Sequence, residues 1–177
     1  MFQTIRQRWR DMGTIKSLCS EAERIANAQG RTDPNAEDFL LSALALPDGT
    51  ARQAFARVRA DPDRLLEAID RQYKDALHSV GIDVSNLASS ASDGPVMAPR
   101  KIYKAGPSGQ ALLHTMIYDI KVREHKTSPA APLLGAHVVL AATGSRRGVV
   151  ARALQAMNVD AIELAKAARA EIEAYRA

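Results

Sequence analysis

The stretch Glu37-Asp38-Phe39-Leu40-Leu41 decides the fold, because Ala136-His137-Val138-Val139-Leu140 repeats its pattern later in the chain. The offset is 99 residues, from Asp38 to His137. Identity between the two stretches is low, but apolar positions coincide with apolar positions. Such self-similarity at a fixed spacing is the signature of a duplicated supersecondary unit.

The same offset holds without a gap for roughly thirty positions, with apolar residues on apolar residues and turn residues on turn residues. The matched pairs are Ala43 with Ala142, Gly49 with Gly148, Phe55 with Leu154, Val58 with Met157, Asp61 with Asp160 and Leu65 with Leu164. The duplication therefore extends over several helices.

Apolar residues at three- and four-residue spacing predict helices, and no segment shows the alternation of a strand. A first helix is predicted over residues 11–29, ended by Gly30, and a fourth is capped at Asp61-Pro62. Ser108 is the predicted cap where the pattern restarts. We predict an all-α fold of two pseudo-symmetric four-helix repeats, residues 1–82 and 108–177, packed into one globular domain and joined by a Ser-, Gly- and Pro-rich linker over residues 83–107.

Length and composition indicate which kind of protein this is. The chain has 177 residues, 46% hydrophobic and 25% charged, with a net charge of +4. This length suits one domain, and the charges of both signs along the chain predict a solvated surface. Cys19 is the single cysteine, so no intramolecular disulfide forms. With no apolar run of about 18 residues and no secretory signal, we expect a cytoplasmic protein without membrane contact.

Motifs for catalysis and cofactors are missing from the sequence. It has neither the phosphate-binding loop of P-loop ATPases nor the glycine-rich fingerprint of dinucleotide-binding folds. The four histidines are not at metal-ligand spacing. No paired acid and base is recognisable either. We therefore predict no catalytic residue, no metal and no cofactor, and a protein that is not an enzyme.

Two basic and aromatic clusters are candidate contact sites. Trp9 lies among arginines in the N-terminal segment, and Tyr103 lies beside Arg100 and Lys101 at the end of the linker. Such clusters can bind nucleic acid or an acidic peptide. The N-terminal cluster supports an alternative function, a small helical regulator that contacts nucleic acid. A frayed terminus with one packed tryptophan is the simpler interpretation, so nucleic acid is not our expected partner.

The ordered motifs resemble the amino-terminal substrate-binding domain of Clp-type AAA+ unfoldases. That family has two four-helix repeats, each with a motif like Thr-Glu-His-Leu-Leu-Leu-x-Leu opening its second helix. Here residues 36–44 read Ala-Glu-Asp-Phe-Leu-Leu-Ser-Ala-Leu and residues 135–142 read Gly-Ala-His-Val-Val-Leu-Ala-Ala. The family's turn before the fourth helix is matched by Asn158-Val159-Asp160 and, less well, by Arg59-Ala60-Asp61.

The resemblance also implies a ligand. In some relatives the motif glutamates of both repeats help to bind phosphorylated arginine on substrates. Glu37 matches the first of these glutamates, but Ala136 replaces the second. The resemblance therefore implies at most one weakened phosphoarginine site. Without a ligand, Glu37 would complement the dipole of its helix and His137 would connect its helix to a neighbour.

Taken together, the sequence predicts a non-catalytic module of the Clp protease system that binds substrate proteins or peptides. A Clp AAA+ unfoldase is a further candidate partner, and the domain would serve in substrate recognition or as an adaptor or decoy. No ATPase motif is present, so the chain is either a stand-alone adaptor or one domain of a longer ATPase. The expected peptide-binding residues are Glu37, Arg100, Lys101 and Tyr103, in a groove between the repeats.

Overall fold

The computed structural model describes residues 2–81, 104–127 and 131–176, with the side chains of residues 2–9, 125 and 127 left aside. Over these ranges the chain is helical and contains no strand, which confirms the all-α prediction. Its helices are α1 (Phe2–Ala28), α2 (Ala36–Leu44), α3 (Thr50–Arg57), α4 (Leu65–Ser79), α5 (Pro107–His114), a π-helical segment (Thr115–Lys121), α6 (Val122–Thr127), α7 (Gly135–Thr143), α8 (Val149–Ala156) and α9 (Ala161–Ala174). No helix in these ranges is both long and apolar enough to cross a membrane.

Two predicted boundaries were wrong. The first helix begins at Phe2 instead of residue 11, because residues 2–10 contain neither proline nor glycine to stop it. The helix after the linker begins at Pro107, with Gly106 as its N-cap in place of Ser108. A proline costs nothing at the first helical position, where its missing N–H would have no partner anyway. Residues 104–106, which precede this helix, are not helical.

Helix bounds in the two halves of the chain obey the offset of 99 residues. Helix α2 (Ala36–Leu44) corresponds to α7 (Gly135–Thr143), and α3 (Thr50–Arg57) corresponds to α8 (Val149–Ala156), residue for residue at both ends. Asp160 caps α9 directly, whereas Asp61, 99 residues earlier, caps a 3-10 turn (Pro62–Arg64) that leads into α4. The carboxylate of each aspartate accepts a backbone N–H. The segments that contain α2–α3 and α7–α8 therefore have the same order and lengths of helices.

The turns between these helices also match. Gly49 and Gly148, 99 residues apart, both have positive φ, +68° and +108°. Arg59 and Asn158, again 99 residues apart, have φ of +57° and +56°, in the left-handed region. A non-glycine residue rarely adopts this conformation, so its recurrence at the same position reflects the same turn.

Core positions coincide as the offset predicts. Phe39, Leu40, Leu44, Phe55 and Leu65 are all buried, and so are the corresponding residues Val138, Val139, Leu154 and Leu164. Thr143, which corresponds to Leu44, is the exception. It is half-buried, and its hydroxyl donates to the Val139 and Leu140 carbonyls (3.0 Å each) at the end of α7. One continuous apolar core results.

Helices of the two halves cross over to pack against each other. Helix α3 packs on α9, α4 packs on α8, and α2 packs on α7 near the centre. An ion pair between Arg57 on α3 and the buried Glu171 on α9 reinforces the first contact. The third and fourth helices of each half therefore bury their apolar faces on the other half.

We predict that neither half folds alone. Residues 1–82 and 108–177, expressed separately, should lack a cooperative thermal transition by circular dichroism, because each leaves the faces of two helices exposed to water. Mixing the halves should restore helical signal and a transition. A cooperative melt of either half alone, at the midpoint of the full chain, would contradict the crossed packing.

A second prediction concerns Gly109 on α5. A Cβ at this position would lie 2.5 Å from the Pro34 carbonyl oxygen and 2.9 Å from Phe39. Gly109→Ala should lower the free energy of unfolding by about 1–3 kcal/mol, because α5 must move away. Gly13→Ala in α1 is the control, since nothing lies within 4 Å of its Cβ. That change should raise stability by about 0.5–1 kcal/mol. Urea denaturation measures both, and equal stability of the two variants would refute the close approach.

Candidate functional site

A cleft of about 510 Å³ opens between the two halves, at the point where three helices begin. Its walls are formed by the first turn of α2, by Tyr73 of α4, by α5, and by the C-terminal end of α7 with the start of α8. We call this feature the interhelical cleft. Because helix N-termini present unpaired N–H groups, its walls combine apolar surface with hydrogen-bond donors.

Glu37 lies in the wall of the interhelical cleft and is only 2% exposed. Its Oε1 accepts a hydrogen bond from the Tyr73 hydroxyl. No residue that the structure describes donates to Oε2, so this oxygen can receive a donor from a ligand. Burial, together with the hydrogen bond to Glu37, raises the pKa of Tyr73 above its usual value. Tyr73 therefore stays protonated and donates the hydrogen bond that holds the Glu37 carboxylate in place.

Arg31 fixes a positive charge next to this pair. Its guanidinium donates to both carboxylate oxygens of the buried Asp38 (2.5 and 2.7 Å) and lies 5.5 Å from the centre of the Tyr73 ring. The hydrogen bond to Asp38 raises the pKa of Arg31. Asp38 in turn accepts the Asn35 N–H (2.7 Å) that precedes α2. The start of α2 is thus held by a bidentate ion pair, the stronger kind of charged contact.

Ser108 and Arg147 line the cleft together with the start of α2. Ser108 on α5 accepts the Ala36 N–H (3.2 Å) and donates to Asn35 Oδ1 (3.2 Å). The Glu37 N–H has no acceptor among the described residues. Arg147, exposed in the loop before α8, also lines the cleft. The site therefore offers a carboxylate oxygen and one amide at the start of α2, and an arginine in the loop before α8.

The equivalent place at the start of α7 is filled by the chain itself. The Gly135 N–H donates to the Asp48 carboxylate (3.2 Å to Oδ2), and the Ala136 N–H donates to the Thr50 hydroxyl (2.9 Å). The residues 99 positions after Asp48 and Thr50 are Arg147 and Val149, which carry no side-chain oxygen. The start of α2 consequently lacks the acceptors that close the start of α7.

Of the peptide-binding residues predicted from the sequence, the structure describes one. Glu37 lies in the interhelical cleft, whereas Arg100, Lys101 and Tyr103 fall outside the described residues, as does the side chain of Trp9. Sequence analysis missed Tyr73, which is 36 residues from Glu37 in the chain. Its position in the apolar stripe of α4 gave no sign of a hydrogen bond to the cleft.

His137 connects helices. It is fully buried, its Nδ1 accepts the Leu134 N–H (3.0 Å), and its Nε2 contacts Glu124 of α6 (3.0 Å). Since Nδ1 is an acceptor, the proton is on Nε2, which donates to Glu124. Groups of three or more His, Cys, Asp or Glu side chains suited to a metal are not found among the described residues.

The ionisation of Glu124 predicts that the stability of the fold depends on pH. Burial raises its pKa, but the His137 hydrogen bond and the charges of Lys121 and Arg176 outweigh this and lower the pKa to about 2. The folded pKa lies below the unfolded value, so Glu124 stabilises the fold above about pH 4.5 and loses this effect as the pH falls toward 2. Glu124→Gln should cost about 1–2 kcal/mol at pH 7, and the difference from the parent should shrink below pH 4.5.

Urea titrations at several pH values measure this effect. The control is Glu173→Gln, which removes an exposed carboxylate from α9 and should change stability by less than about 0.5 kcal/mol. A difference between Glu124→Gln and the parent that stays constant from pH 7 to pH 2 would contradict the assignment.

Comparison with known proteins adds no relative: no protein-family model matches the chain, and no curated protein matches it significantly.

Proposed function

We propose that this chain is a non-catalytic peptide-binding module of the Clp substrate-recognition type, built from a duplicated four-helix unit. Support for the duplication comes from helix bounds, caps and positive-φ turns that recur at the same offset. The resemblance of the motifs at residues 36–44 and 135–142 supplies the Clp assignment. Partners are then substrate segments, with a Clp AAA+ unfoldase as a second candidate.

The observation that carries the proposal is the buried Glu37 in the interhelical cleft. Burying a carboxylate costs free energy because it loses its water, and among the described residues Tyr73 alone donates a side-chain hydrogen bond to this one. A ligand guanidinium would satisfy Oε2 in a charge-assisted hydrogen bond. Glu37 is also the residue that matches the family's ligand-binding glutamate, so the position and the chemistry agree.

A second group on the ligand would be an anion. Arg147 lines the cleft, and so does Glu37, whose N–H has no acceptor among the described residues. A guanidinium and an amide at a helix start each favour negative charge. A side chain that carries a guanidinium and a phosphate, as phosphoarginine does, meets both requirements. The pair of sites in the family becomes a single site here, because Ala136 has no carboxylate and Asp48 already occupies the start of α7.

We predict that Glu37→Gln weakens binding of a fluorescein-labelled peptide with one phosphoarginine by about tenfold, because a charged hydrogen bond contributes about 1.5–3 kcal/mol. Fluorescence anisotropy measures the affinity, and the same peptide with plain arginine is the reference ligand. Glu67→Gln on the exposed face of α4 is the matched control and should leave the affinity unchanged.

The linker residues have a separate variant. The double change Arg100→Ala and Lys101→Ala should also weaken capture, and Arg64→Ala with Arg71→Ala, two exposed arginines of the first half, is its control. If Glu37→Gln binds the phosphoarginine peptide as tightly as the parent, the cleft is not the site. Equal binding of the plain-arginine peptide would remove the anionic part of the proposal.

A further inference from the structure

A second concave surface lies on the other side of the loop at residues 144–148. It is a groove of about 630 Å³ between α8 and the first turns of α9, and we call it the basic groove. Gly144 and Ser145 form a shared rim with the interhelical cleft, while Arg146 belongs to the groove and Arg147 to the cleft. The groove is thus a separate surface that adjoins the first.

The walls of the basic groove carry uncompensated positive charge. Arg146, Arg152 and Arg169 are exposed, line it, and form no ion pair with any residue that the structure describes. Lys166 adds a fourth cation, although Glu163 pairs with it (2.7 Å). The groove's carboxylate, Asp160, is occupied by the Ile162 and Glu163 N–H groups of α9. The net local charge is strongly positive.

The groove also has an apolar side. Ile162 is 61% exposed on its edge, which is high for a large aliphatic side chain, and Leu154 and Val159 lie buried beneath. Ile162 thus offers one apolar contact at the edge of an otherwise basic surface. None of the lining residues that the structure describes is aromatic, so they give the bases of a nucleic acid no stacking platform.

The corresponding surface of the first half indicates that the fold does not require positive charge and an exposed apolar residue at this place. At the offset of 99 residues, Asp63 stands in place of Ile162, Glu67 in place of Lys166, and Asp70 in place of Arg169. The first half therefore carries three acids where the second half carries an apolar residue and two cations. Since α4 forms in the first half with acids at these positions, the positive charge of the basic groove is not needed to form the helix.

From these observations we infer that the basic groove binds an acidic peptide segment that contains an aliphatic side chain. Acidic side chains would pair with Arg146, Arg152 and Arg169, and the aliphatic side chain would cover Ile162. Complementary charge of this kind steers association and sets specificity. The observations on the basic groove do not involve Glu37 or the interhelical cleft. An experiment can therefore refute binding at one of the two surfaces without refuting binding at the other.

The test uses the full chain and a short fluorescein-labelled peptide rich in Glu and Leu, with anisotropy as the readout. We expect binding that weakens as salt rises, and a loss of about tenfold or more for Arg152→Glu with Arg169→Glu. The milder pair Arg152→Gln with Arg169→Gln should give a smaller loss in the same direction. Arg64→Glu with Arg71→Glu, which changes the net charge equally on exposed positions of the first half, is the control and should bind as the parent does.

Three further measurements separate the alternatives. Replacing every Leu of the probe with Ser should weaken binding, and Glu37→Gln should leave it unchanged. Equal loss in the control pair would show a general charge effect and overturn the inference. So would tighter binding of an oligothymidine than of the peptide, or self-association in sedimentation that Arg152→Glu with Arg169→Glu abolishes, since the occupant would then be nucleic acid or a second copy of the chain.

Discussion

The packing of α2 against α7 is the constraint on which the rest of the structure depends. Both helices are short and almost entirely buried, including the polar residues Glu37, Asp38, Ser42 and His137. A buried polar group needs a partner, and each of these has one on another segment of the chain. Ser42, for example, donates to the Leu18 carbonyl of α1 (2.9 Å). The central pair therefore dictates where the surrounding helices lie.

One backbone pattern carries different chemistry in the two halves. Asp38 and His137 stand at equivalent positions, and each accepts the N–H of the residue that precedes its helix. Asp38 then needs a cation and binds Arg31, whereas His137 needs an acceptor and binds Glu124. The same division places Glu37 in an open cleft and Ala136 under Asp48 and Thr50. The two halves have these helix starts in common, and different side chains give them different contacts.

The loop at residues 144–148 lies where the two proposed sites meet. It faces the interhelical cleft with Arg147 and the basic groove with Arg146, and its end at Gly148 uses a positive φ to start α8. A peptide that filled both surfaces would cross this loop at Gly144 and Ser145. The anionic group bound in the cleft and the acidic residues bound in the groove would then belong to one peptide. Because the segment between them is short, binding at one surface would favour binding at the other.

The sequence by itself determined the helical class and the offset of 99 residues at which the bounds of α2 and α3 recur in α7 and α8, because apolar spacing, caps, glycine and proline act within a few residues of the chain. It also placed Glu37 at the start of α2 as a candidate. Its errors, the start of α1 and the cap of α5, concern helix ends where local preferences are nearly balanced.

Only the tertiary structure decided what these residues contact. Tyr73 reaches Glu37 across 36 positions and Asp48 reaches the α7 amides across 87, and such contacts leave no periodic trace in a sequence. Arg152, Arg169 and Ile162 likewise become one surface only when α8 and α9 pack together. Helix formation is a local property of the chain, whereas a binding surface depends on which buried faces find each other, and that is settled by packing.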